Sequence, residues 1–145
     1  MRTALRKLER IDEIERAELS LYEFVKQAWN SVELVEFIDN WHIQLICDHL
    51  QALGDGRIQR DLLINIPPGL AKSLLTAVFW PAWLWTKRPE TRFFHASYAQ
   101  SLSSRDSVKC RKLIRSSWYQ ERWTRQQHPQ RGVQPERNAA GLGEL

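Results

Sequence analysis

Lys72 and Ser73 stand directly after Ile66-Pro-Pro-Gly-Leu-Ala71 and open a stretch, Leu74-Leu75-Thr76-Ala77, with helical apolar spacing. A lysine and a hydroxyl at a helix start, behind a short glycine-containing loop, suit a phosphate. The lysine brings a point charge, the hydroxyl can ligate magnesium, and backbone N–H groups of the loop and first helical turn face the anion. The pattern departs from the usual glycine-rich form at two places. Counting back from Lys72, Ile66 occupies the first glycine position and Ala71 the second. On these residues alone, a plain strand-turn-helix with a lysine at its start is the better fit.

The elements needed to position such a loop can be read around it. Leu5, Leu8, Ile11 and Ile14 recur every three residues among charges, which predicts a first helix that packs on its own domain or on a partner. Ser20-Leu-Tyr-Glu23 has the capping-box order and predicts a second helix to about Trp29. Asp39-Asn40 is a possible cap for a third, whose face Ile43, Ile46, Cys47, Leu50 and Leu53 is stopped by Gly54-Asp55-Gly56. Residues 61–66 and 91–99 read as strands, Pro81 should kink or end the helix opened at Lys72, and a basic helix should run from about Ser101 to Arg115. Two strands joined by a helix predict a right-handed βαβ unit, an α/β fold of the partial P-loop NTPase type with N-terminal helices and an incomplete sheet. The expected organisation is a helical segment over 1–40, the partial ATPase domain over 41–123, and a disordered basic tail over 124–145.

A longer series of segments carries a resemblance. Trp41-His-Ile-Gln44, Leu62-Leu-Ile-Asn-Ile-Pro-Pro68, Val78-Phe-Trp-Pro-Ala-Trp83, Arg92-Phe-Phe-His-Ala-Ser-Tyr98, Ser104 through Ile114 and Ser117-Trp-Tyr-Gln120 follow one another in that order. Over roughly residues 20 to 123 the chain resembles the N-terminal ATPase segment of the large terminase subunit of tailed bacteriophages, the motor that packages DNA. Members of that family often have a degenerate first glycine and Pro-Pro ahead of the loop. The resemblance ends just after Trp118-Tyr-Gln-Glu-Arg-Trp123, where a Gln-, Pro-, Gly- and Arg-rich stretch begins, and a premature end or a shifted reading frame would explain the change.

The resemblance implies ATP and magnesium as ligands. Lys72 would be the catalytic lysine on the β and γ phosphates, and Ser73 would hold magnesium. Pro68, Gly69, Leu70, Ala71, Lys72, Ser73 and Leu74 would cradle the phosphates, and Gln44 would meet the adenine edge. Arg105, Lys109 and Arg111 would face DNA or couple to its movement. Many members carry an arginine where Gly69 stands, so its charge is missing here. The acidic strand end that supplies the water-activating carboxylate is missing too, as is the nuclease domain. Binding is therefore expected without turnover by this chain alone. Expected partners are double-stranded DNA, the small terminase subunit, the portal protein and further copies of the chain, in the cytoplasm of the bacterial host cell. A second reading is a non-enzymatic basic module that associates with DNA or a packaging protein.

Composition limits the remaining classes. The 145 residues suffice for one core but not for a whole packaging motor. No apolar run is long enough to span a bilayer, so a membrane role is not expected. The charge of +4 is unevenly spread. Nine Lys or Arg stand against three acids from Arg105 to Arg137, whereas residues 1–104 hold twelve against thirteen. Such a stretch can follow a phosphate backbone or simply form a solvated face. Cys47 and Cys110 show no metal spacing and read as reduced thiols, and His95 reads as a satisfied core or strand-end residue rather than a base.

Overall fold

The computed structural model describes residues 2–124, with side chains over 5–123. The tail expected over 124–145 lies, apart from Thr124, outside the described residues. Helices make up the regular structure: α1 Arg2–Leu19, α2 Leu21–Val32, α3 Trp41–Gly54, α4 Lys72–Leu74, α5 Trp80–Lys87, α6 Gln100–Arg115 and α7 Ser117–Tyr119.

Local signals set the helix ends. Ser20 caps α2, its Oγ accepting from the Glu23 amide at 3.3 Å. The reciprocal half of the capping box is absent, because the Ser20 amide bonds to the Arg16 carbonyl at 3.0 Å. At the end of α3, Gly56 takes a φ of +76°, and its amide bonds back to the Leu53 carbonyl at 3.1 Å. Asn40 precedes α3 without a side-chain cap bond, while the carboxylate of Asp39 accepts from the Tyr22 hydroxyl.

Pro81 does not end its helix. A π-helical turn, Leu75–Phe79, joins α4 to α5, and the Trp80 amide bonds to the Leu75 carbonyl five residues back. Pro81 then sits at the start of α5, where the missing N–H costs least, and the helix continues to Lys87.

The expected α/β fold is corrected by this architecture, since the described residues contain no strand and no βαβ unit. Residues 61–66 do alternate as a strand would: Leu62, Ile64 and Ile66 are half-buried, and Asp61, Leu63 and Asn65 face outward. Phe93 likewise packs inward while Phe94 is exposed. Alternation fixes side-chain direction, but a strand also requires a neighbour for its backbone groups. The amides of residues 59–70 and 92–98 donate no backbone bond within the described residues.

The core is a helix-on-helix cluster. α2 is its hub, packed against α1, α3, α6 and the π turn. Phe24 of α2 meets Trp118, Tyr119 and Trp123 edge-on or tilted, at 5.3, 6.4 and 5.4 Å between centroids. Trp29 stacks on Phe79 at 5.8 Å. Trp83 is fully buried, and its indole N–H donates to the Ala17 carbonyl at 3.0 Å, fastening α1 to α5. Among the described residues no helix is long and apolar enough to cross a membrane.

Burial pushes the Cys47 thiol up to about 12 and the Cys110 thiol to about 11, from an ordinary 9.0; the nearby Asp48 charge adds to the first. Between pH 9 and these values the folded chain holds protons that the unfolded chain has released, so stability falls as pH rises there. Urea midpoints should be level from pH 7 to 8 and lower at pH 10, as the unfolding free energy falls by up to about 1.4 kcal/mol per pH unit for each thiol. Cys47→Ala should flatten the decline; an unchanged alkaline slope would assign it elsewhere.

Candidate phosphate-binding loop and the cavity beside it

Between Ile66 and Lys72 the backbone alternates in handedness. Gly69 has φ +88° and Ala71 φ +58°, and between them Leu70 keeps a negative φ. Lys72 then enters the helix. Alternation of this kind turns successive amides toward one concave side. The amides of Gly69, Leu70 and Ala71 donate to nothing among the described residues, and those of Lys72 and Ser73 belong to a first helical turn, where no intrahelical partner exists. A Cβ placed on Gly69 would meet nothing within 4 Å, so glycine is needed there for its φ rather than for space. Ala71 holds its left-handed backbone at a cost of about 1–2 kcal/mol, because its Cβ crowds the following carbonyl.

The side chains agree with an open site. Pro68, Gly69 and Leu70 are exposed, while Lys72 and Ser73 are half-buried and make no hydrogen bond or ion pair among the described residues. Leu74 packs against the core, and the Thr76 hydroxyl donates to the Lys72 carbonyl at 3.0 Å, which ties the loop to the helix behind it.

The other expected site residues are dispersed. Gln44 is exposed on α3 and lines neither the loop nor the cavity of about 210 Å³ between that helix and residues 62–66. On α6, Lys109 is taken up by an ion pair with Glu33, and Lys112 donates to the Val32 carbonyl at 3.2 Å. Arg105 pairs with Asp106 at 3.1 Å, and Arg111 reaches only its own helix, at Ser107, over 3.4 Å. Arg105, Arg111 and Arg115 still present exposed charge along α6.

One turn beyond the loop, Thr76 and Ala77 reach the wall of an open cavity of about 650 Å³. Trp80, Trp85 and Phe93 form its aromatic side, with Trp80 and Trp85 edge-on to Phe93 at 5.6 and 5.5 Å. Asp106 lies in the opposite wall, only 4 % exposed, 3.8 Å from the His95 ring. Residue patterns did not single out this pair. The available signal was that Asp106 is the sole acid in a basic helix. His95, expected as a satisfied core or strand-end residue, is exposed and reaches Asp106 from the extended segment.

Among the described residues, no group of three or more His, Cys, Asp or Glu could hold a metal ion. No protein family, curated protein or solved structure matches this chain.

Proposed function

We propose that Gly69–Ser73 binds the phosphates of a nucleotide, and that the chain acts as the ATP-binding segment of a DNA-packaging motor of the terminase type. The observation that carries this reading is the run of undonated amides in a loop of alternating handedness, ending at a lysine on a helix start. Amides so arranged favour an anion, and the half-buried Lys72 adds the charge that a polyphosphate requires. The assignment to a packaging motor rests on the ordered sequence segments alone.

Magnesium fits the site as a bridge rather than as a caged ion. The Ser73 hydroxyl is the one side-chain oxygen that the loop offers, and the remaining positions would fall to phosphate oxygens and water, which Mg²⁺ commonly retains. When bound, the ion supplies charge neutralisation of the phosphates. The chain's own residues hold them in place: Lys72 by charge, the amides by donation, and Leu74 by anchoring the helix in the core.

Calorimetry of Mg-ATP with the full chain tests the reading. Lys72→Ala should weaken binding about 10- to 150-fold, corresponding to a charge-assisted hydrogen bond of about 1.5–3 kcal/mol. Equal affinity in the two proteins would reject Lys72 as a phosphate ligand. It would favour the second reading, in which the exposed arginines of α6 make the chain a non-enzymatic nucleic-acid module.

A further inference from the structure

Helix α1 is anchored at one end only. Trp83 and Trp123 bond to Ala17 and Glu18, at 3.0 and 2.9 Å, and Gln27 bonds to the Glu13 carbonyl at 2.9 Å. Toward the N-terminus the single cross-element bond among the described residues is that of Arg10 to Glu121, at 2.5 Å. Leu5, Leu8 and Ile11, spaced three apart, stay 53, 64 and 43 % exposed. Leu19 extends the same face and is 74 % exposed. Such a face on a helix that already has a domain to pack on is unexplained by the fold.

The charges along α1 are also ordered against the helix's own preference. Arg6, Lys7 and Arg10 outnumber Glu9 in its N-terminal half, and Asp12, Glu13, Glu15 and Glu18 outnumber Arg16 in its C-terminal half, so the halves carry opposite net charge. The macrodipole favours the reverse, acids first and bases last. An antiparallel neighbour of the same sequence removes the conflict. It lays each basic half over an acidic one, opposes the two dipoles, and covers the leucine face with its own copy. A parallel neighbour would set like charge on like. A membrane surface would be repelled by the acidic half.

We propose that the outer face of α1 is a self-association surface, and that two copies of this chain pair through it as an antiparallel helix dimer. The assignment is independent of the phosphate loop.

Sedimentation of the purified full chain over a range of concentrations tests it. The wild type should show a concentration-dependent dimer, weakened by salt, and Leu8→Glu should weaken association at least tenfold with helical circular dichroism unchanged. Because Leu8 is exposed, that variant does not threaten the core. Two charge variants test the orientation. Arg6→Glu with Lys7→Glu gives both halves of α1 a net negative charge, and Asp12→Lys with Glu15→Lys gives both a net positive one. Each should be monomeric alone, and an equimolar mixture should form a heterodimer. A wild type that stays monomeric at every concentration would overturn the proposal, as would a dimer indifferent to Leu8→Glu. Charge variants that each self-associate as well as their mixture would overturn the antiparallel arrangement.

Discussion

Trp83→Ala is expected to abolish cooperative unfolding near room temperature. Trp83 is fully buried at the meeting of α1, α2 and α5, and Lys87 lies over its ring with Nζ 3.8 Å from the centroid. Truncating a buried tryptophan costs about 3–5 kcal/mol. Leaving the Ala17 carbonyl without its donor adds about 1–3 kcal/mol. A small domain has roughly 5–15 kcal/mol in total, so the loss takes most or all of it. Trp83→Phe keeps most of the volume and removes the donor, and should cost nearer to the hydrogen-bond figure alone. Urea titration followed by circular dichroism separates the two. Equal losses in both variants would show that the indole N–H, rather than the packing, carries the effect.

ATP turnover by the purified chain should equal that of Lys72→Ala, with or without DNA. Binding requires only the loop, but hydrolysis also requires a carboxylate that orients water and usually a second cation at the γ phosphate. A group of the latter kind is worth about 10³–10⁵ in rate. Gly69 brings no charge to the loop. Asp106 is buried in the cavity wall and held by Arg105 and His95. Asp61 is exposed on the extended segment and makes no ion pair or side-chain hydrogen bond among the described residues. Phosphate release at the rate of the Lys72→Ala control is the expected result. Turnover well above that control, stimulated by DNA, would assign the water to one of these carboxylates, and Asp61→Asn and Asp106→Asn would identify it.

Features determined within a few residues were legible in the sequence. The capped start of α2 at Ser20, the glycine stop after α3 and the extent of α6 are matters of local hydrogen bonding and apolar spacing, and each was read to within a few residues. The expected strands failed because pairing is not local. Leu62, Ile64 and Ile66 alternate as a strand should, yet nothing in a two-residue period states whether a neighbour exists. The continuation of the helix past Pro81 was hidden for a related reason, since a π turn is made by backbone geometry and leaves no residue signature. Lys72 and Ser73 were legible from their place after the loop. The left-handed backbone of Ala71 was not, because alanine gives no sign of it. Lys109 was expected to face DNA or couple to its movement, and its pairing with Glu33 was not legible because the two lie 76 positions apart.

The aromatic seam that closes the core joins the two ends of the described chain, and this sets a clock on synthesis. Trp123 bonds to Glu18 across 105 positions and packs with Phe24, Trp118 and Tyr119. At about 5–20 residues per second, a ribosome needs roughly 5–20 s between making these two ends. During that interval α1 and α2 can form, but the face of α2 around Phe24 has no cover. The nascent chain therefore waits as a helical hairpin with an open aromatic face, a form that a chaperone would hold. A stop codon before Trp123 would leave that face open after release, giving a product directed to proteolysis rather than to folding.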